Sequence, residues 1–217
     1  MSRTIIEERG VRLEVEAIQP IEDQVLLRGY RNDQSQGGLY LPYGEATECF
    51  IGEVLALGPG GVVTETGERC PIKLARGERV IVMKYAGGPL RLKGVDYKII
   101  REHGVWAKIK AEIAGERVEI MEVEPYSDHI LVKLKNEGRT RGGLYLATKP
   151  QTKYAVAQVV RVGLGKRDMK TGHTPAMELS PGQDILMLRY SGAVVKVLGV
   201  EYRLIEPADV IALVEEE

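Results

Sequence analysis

Two small all-β units in tandem are what this sequence predicts, and three observations predict them. The first is an internal repeat at 105 residues, in which Gly37-Gly38-Leu39-Tyr40-Leu41 returns unchanged as Gly142-Gly143-Leu144-Tyr145-Leu146. The second is that landmarks on both sides keep that spacing: Pro20 and Asp23 recur as Pro125 and Asp128, Gly58 and Gly60 as Gly163 and Gly165, and Gly77 as Gly182. Without any gap about a quarter of the aligned positions are identical, so the period is that of a duplicated domain rather than of a solenoid repeat. The third is a series of short β-branched runs separated by glycine turns, with no long amphipathic helical pattern anywhere, which indicates a small barrel or sandwich.

In chain order, 24–28 and 129–133 are aliphatic runs that follow a Pro-x-x-Asp turn signal and read as strands. The runs 52–58 and 157–163 read likewise and end in Gly-x-Gly, where glycine supplies the positive φ of a tight turn. Gly77 and Gly182 each precede another apolar run, 79–83 and 184–188. Alternation marks 96–100 and 201–205, and the closing runs 105–109 and 210–214 read as final strands. These elements divide the chain into an N-terminal extension over 1–16, a first unit over 17–109, a linker over 110–121 and a second unit over 122–217. A linker of a dozen residues spans at most about 40 Å, so the second unit sits beside the first or just past it.

Composition narrows the function. A net charge of −1 argues against a general nucleic-acid binder, and no apolar run is long enough to cross a bilayer. The N-terminus carries neither a signal-peptide core nor a transit-peptide composition, so a cytoplasmic protein is expected. Cys49 and Cys70 align with Tyr154 and Pro175, which fits reduced cysteines better than a disulfide framework. His103, His129 and His173 align with Ala208, Gln24 and Glu68, and none stands at ligand spacing from a cysteine. They are expected to be solvated surface residues, with no metal and no cofactor.

The segment around the repeated pentapeptide has no strand character. Residues 30–36 and 135–141 are polar, and a second polar or proline-containing stretch follows each Leu-Tyr-Leu island up to Glu48 or Lys153. Such composition buries too little surface to offset ordering entropy, so a mobile loop of about twenty residues is expected in each unit. The two loops differ in charge: Arg28 and Arg31 face Asp33, Glu45 and Glu48 in the first, whereas six cations from Lys133 to Lys153 face Glu137 alone in the second. One reading of the island is a short barrel strand with a glycine bend. The other is a docking element that folds on a partner, with the two leucines on one face and the tyrosine on the other. Retention of all five residues, Gly37 to Leu41 and Gly142 to Leu146, while most of the repeat has diverged favours docking.

These residues together resemble the GroES-type co-chaperonins, the chaperonin-10 family, in a tandem two-domain form like that of plastids. The similarity lies in the openings at 18–25 and 123–130, in the Gly-Gly-Leu-Tyr-Leu elements, and in the endings that contain Lys84-Tyr85-Ala86-Gly87 and 189–197 through 209–215. The resemblance implies two GroES-like β-barrels, each with a mobile loop, and a lid without catalytic chemistry. Its partner would be a GroEL-type chaperonin ring, which binds the ATP, and its own assembly a homo-oligomer or a mixed ring with a single-domain co-chaperonin. Family lids are sevenfold, whereas three such chains give six units and four give eight. Two features depart from the family: the tripeptide has tyrosine at its centre where an aliphatic residue is usual, and 87–90 and 103–106 replace the usual ending of the first unit. An adaptor that uses the loops on another protein is the alternative. An enzyme of the medium-chain dehydrogenase type is disfavoured, because Gly58-Pro59-Gly60-Gly61 and Gly163-Leu164-Gly165 lack the third glycine and the following helix of a dinucleotide fingerprint.

The loop reading predicts early trypsin cleavage after Arg31, Arg139 or Arg141, well before any site within the strands. Slow, uniform cleavage would remove it.

Overall fold

The structure, a computed structural model, describes residues 5–8, 11–14, 18–29, 39–40, 49–92, 95–110, 122–135, 153–197 and 200–214. It is β throughout. The N-terminal extension forms a hairpin of β1 (Ile5–Glu8) and β2 (Val11–Glu14). The first unit supplies β3 (Gln24–Gly29), β4 (Leu39–Tyr40), β5 (Cys49–Leu57), β6 (Gly61–Val62), β7 (Arg69–Cys70), β8 (Arg79–Met83), β9 (Gly88–Leu92), β10 (Val95–Arg101) and β11 (Val105–Ile109). The second supplies β12 (Val123–Pro125), β13 (Ile130–Leu134), β14 (Tyr154–Val162), β15 (Asp184–Leu188), β16 (Ala193–Val197), β17 (Val200–Ile205) and β18 (Val210–Val214). Single 3-10 turns at 102–104 and 207–209 precede β11 and β18.

Two seven-stranded antiparallel sheets result, ordered β12-β11-β8-β5-β3-β10-β9 and β18-β15-β14-β13-β17-β16-β4. The shared part of the order is the same in both units, as a duplication requires. Among the described residues the end strands of each sheet are not paired with one another, so the sheets are open where the sequence leads one to expect closed barrels. The reason is visible in the end strands: β12 belongs to the second unit and β4 to the first, so each sheet runs on into the other half of the chain instead of returning on itself.

The strands form where alternation places them. In β5 and β14 buried residues recur at every second position, Val54 and Ala56 in one, Ala155, Ala157 and Val159 in the other. Both begin three residues earlier than their apolar pattern suggests, because Cys49–Ile51 and Tyr154–Val156 find partners on β8 and β15. Leu26, Leu27, Val80, Val82 and their counterparts Leu131, Val132, Ile185 and Met187 are almost fully buried, each worth roughly 1.5 to 3 kcal/mol of transfer free energy. Strands β9 and β16, to which alternation did not point, pair with β10 and β17.

The turn signals are confirmed with one difference. Glu22 and Ser127, at equivalent positions after the prolines, have φ of 50° and 57°, and the amides of Gln24 and His129 close these turns onto the carbonyls of Ile21 and Tyr126. In Gly-x-Gly only the second glycine has positive φ, +98° at Gly60 and +97° at Gly165. The first is needed for space, since a Cβ at Gly58 or Gly163 would lie 2.2 Å or 2.1 Å from the carbonyl oxygen of Glu22 or Ser127.

Replacement of Gly60 by alanine meets both obstacles, positive φ and a Cβ 1.8 Å from the Cys70 carbonyl oxygen. Gly77 has φ of +86° with open space around it. Gly60→Ala should therefore lower unfolding free energy by roughly 1 to 3 kcal/mol or more, and Gly77→Ala by less, in denaturant titration.

Candidate docking elements and the junction between units

Of the ten residues singled out for docking, Leu39 and Tyr40 lie on a described strand. Gly37, Gly38, Leu41 and the whole of Gly142–Leu146 fall outside the described residues, as do the trypsin sites and the expected loop mobility. β4 runs antiparallel to β16, with Leu39 opposite Val197 and Tyr40 opposite Lys196. Leu39–Tyr40 is thus a two-residue strand on the sheet of the other unit.

The strands that carry each loop are firmly anchored. Before the second loop, the Lys135 amide donates to the Val156 carbonyl at 2.9 Å and its ammonium pairs with Asp184. After it, the Arg189 amide donates to the Lys153 carbonyl at 2.9 Å, and its guanidinium to the Tyr154 carbonyl at 2.7 Å. At Gly29, which ends β3, a Cβ would lie 2.8 Å from the Asp96 carbonyl oxygen and 3.0 Å from the Phe50 ring, so no side chain fits there.

Beside this glycine stands a buried cation. Lys98 donates to the carbonyls of Lys84 and Ala86, and its Nζ is 5.1 Å from the centre of the Phe50 ring. Burial holds its pKa below the ordinary value. Its counterpart Arg203 does the same service, donating to the Ser191 carbonyl at 3.1 Å. Both hold the turns that display Tyr85 and Tyr190, which are 84% and 76% exposed. In the sequence these tyrosines are landmarks both of the repeat and of the resemblance, and their exposure is a finding of the structure.

The units join through backbone. β12 pairs with β11 (Ala107 with Pro125, Lys108 with Glu124, Ile109 with Val123), and the Tyr126 amide continues the ladder onto the Trp106 carbonyl at 2.9 Å. The linker ends meet in the same ladder, since the Lys110 amide donates to the Glu122 carbonyl at 2.9 Å. Beneath lies one apolar cluster drawn from both units, in which Ile81, Ala107 and Ile109 pack with Val123, Leu131, Val195, Val197 and Leu204.

Polar contacts at the junction are specific. The Tyr126 hydroxyl donates to the Glu102 carboxylate, and burial first and Glu102 second push its pKa far above the ordinary phenol value. Lys108 Nζ lies 5.5 Å over the Tyr126 ring. The Trp106 and His129 rings are 4.6 Å apart. At the far tip of the junction the amides of Thr64 and Glu65 donate to the carbonyls of Met169 and Lys170, both at 3.0 Å, and Lys170 Nζ lies 3.8 Å from Glu65. A cleft of about 480 Å³ remains between the units, lined among others by Lys73, Glu102, Tyr126, Leu164 and Met169.

His129 corrects the sequence reading. It is 3% exposed, its Nδ1 is 2.8 Å from the Tyr126 carbonyl, and Trp106 of the other unit covers it. Alignment of the two halves could not show this, because the cover comes from the partner half. Neither Cys49 nor Cys70 is in a disulfide, and among the described residues no cluster of metal-ligating side chains and no helix capable of crossing a membrane occurs.

The positions equivalent to this junction elsewhere in the two units are exposed. Ile21, equivalent to Tyr126, is 64% exposed; Ile211 and Leu213 on β18, equivalent to Trp106 and Lys108, are 49% and 53% exposed.

The family model described as Chaperonin 10 Kd subunit matches residues 17–109 and 122–214. Over 200 residues, 91% of this chain, it is 26% identical to the 20 kDa chaperonin, chloroplastic, of Spinacia oleracea and 28% identical to that of Arabidopsis thaliana, covering 75% and 76% of those proteins. Over 94 residues, 43% of the chain, it is 37% identical to the co-chaperonin GroES of Caldicellulosiruptor saccharolyticus, covering 97% of that protein.

Burial holds the His129 pKa below its ordinary 6.5, against the Tyr126 hydrogen bond and the charges of Asp128 and Glu206, with Lys166 adding to the depression. The folded state therefore binds the proton less well than the unfolded chain. The resulting destabilisation is absent above about pH 6.5, enters as pH falls below it and is complete below the folded-state pKa. His129→Gln, which restores the residue found at position 24, should flatten the stability profile in that window, read by thermal unfolding from pH 7 downward.

Proposed function

This chain belongs to the family of chaperonin 10 kDa subunits, and on that premise we propose that it is a lid: two docking elements bind an ATP-loaded, GroEL-type chaperonin ring while the β-units close the cavity over non-native protein. The observation that carries this is the identical Gly-Gly-Leu-Tyr-Leu element at 37–41 and 142–146, placed in both units between the same pair of strands. Burial of two leucines and part of a tyrosine yields roughly 4 to 8 kcal/mol gross, most of which is offset by loop ordering and lost rigid-body freedom. One element alone binds weakly. Two on one chain, multiplied by assembly, raise avidity and still permit release.

Assembly follows from the open ends. The β11–β12 contact is head-to-tail, and such contacts propagate until they close. Exposed Ile211 and Leu213 at one end and Ile21 at the other are the apolar halves that a second copy would cover. The assembly is a homo-oligomeric ring or a mixed ring completed by single-unit co-chaperonins. The chain itself performs no catalysis and holds no cofactor, the ATP belonging to the partner. Similarity to chloroplastic plant proteins and to bacterial GroES admits a plastid as well as the cytoplasm as its place of work.

Replacing Leu39 and Leu41, or Leu144 and Leu146, with Asp should change stability by no more than about 0.5 kcal/mol. ATP-dependent binding to the chaperonin and assisted refolding should fall, most in the fourfold variant. Variants that unfold, or that refold substrate as well as the parent, would overturn the proposal.

A further inference from the structure

We propose that the outer edge of β16 is a strand-addition site for the first docking element, so that in the chain alone the second unit holds Leu39–Tyr40. The inference rests on the lid reading for its consequence but on the sheet for its substance. Leu39 and Tyr40 lie antiparallel against Val197 and Lys196 and become the last strand of a sheet otherwise made by the second unit.

Three features make this edge a template. An edge strand presents a row of unpaired amides and carbonyls, the groups that an added strand satisfies. β16 is rigidly backed, because Val195 and Val197 are 0% and 2% exposed and pack in the cluster shared with Ile81, Ala107 and Ile109 of the first unit. The chain returns from the first loop into β5 at Cys49, and Cys49 packs against that same cluster. The element is therefore tethered beside the edge it joins.

The equivalent edge in the first unit, β9, has β1 of the N-terminal hairpin near it, without a ladder between the two. Each copy of this edge thus has a strand from elsewhere in the chain beside it. In the chain the second element lies between β13 and β14. Strand addition reads backbone, so the tyrosine at the centre of the element is no obstacle to it.

The consequence is an unequal pair of docking elements. The first must leave β16 before it enters an external groove, and its apparent affinity falls by the fraction of chains in which it is released. One edge holds one strand, so β16 competes for the first element and not for the second.

A disulfide tests the pairing directly. With Cys49→Ala and Cys70→Ser as background, Tyr40→Cys and Lys196→Cys stand at directly opposed strand positions, within the usual disulfide reach. Oxidation should link them within one chain, while Tyr145→Cys with Lys196→Cys should not link. Equal yields from both pairs, or links only between chains, would overturn the proposal. In the unaltered chain, amide exchange over 39–40 should be at least about tenfold slower than over 144–145, and equal exchange would also overturn it.

Kinetics separate this proposal from the lid reading. With ATP and a GroEL-type ring, the Leu144→Asp/Leu146→Asp chain should associate at a rate that levels off as ring concentration rises, because release from β16 becomes limiting. The Leu39→Asp/Leu41→Asp chain should show no such plateau. Linear dependence in both would count against strand addition. A formed disulfide and slow exchange without binding by either chain would leave strand addition standing and sink the lid reading.

Discussion

Everything in this molecule depends on the pairing of β11 with β12. The last strand of one unit takes the first strand of the next into its sheet, so the two halves are fused by backbone hydrogen bonds rather than merely connected by a linker. A unit of about ninety residues buries only a moderate share of its apolar surface alone. Here Ile81, Ala107 and Ile109 complete their burial against Val123, Leu131 and Leu204 of the other half, and that shared cluster is also what backs β16. Remove the strand pairing and the shared core, the cover over His129 and the platform beneath β4 go with it.

The same junction appears in two chemistries. Inside the chain it is aromatic and polar, with Tyr126 bonded to Glu102 and Trp106 against His129. At the open ends the equivalent positions are Ile21, Ile211 and Leu213, aliphatic and without directional bonds. A buried hydroxyl–carboxylate bond suits a seam that never opens, since leaving either group unpaired is costly. Aliphatic surfaces that tolerate water when apart suit one that does.

Most of the fold was legible in the sequence because its signals are local. Alternation in Val54–Ala56 and Ala155–Val159, the positive-φ glycines at 60 and 165 and the Pro-x-x-Asp turns require only neighbours along the chain. The shared cluster, the burial of His129 and the residence of Leu39–Tyr40 on the opposite sheet were not legible, because each depends on residues of the other half, which no local pattern reports. Comparing the halves with each other hides this: it shows what they have in common, whereas the junction is where they differ. The pentapeptide was legible as a repeated motif, and the pairing of Leu39–Tyr40 with β16 was not.

Thr64 and Met169, and likewise Glu65 and Lys170, occupy equivalent places in the two units, yet they touch. Equivalent points on successive units of a ring can meet only close to the axis that relates them, so this contact marks where such an axis would run. An exposed pair there contributes little energy, but it imposes parity. Acid and base alternate around a circuit only if the number of places is even. A single-unit partner that filled a seventh place would have Lys170 of one chain on one side and Glu65 of another on the other, and a charge of either sign at its own tip would face its like.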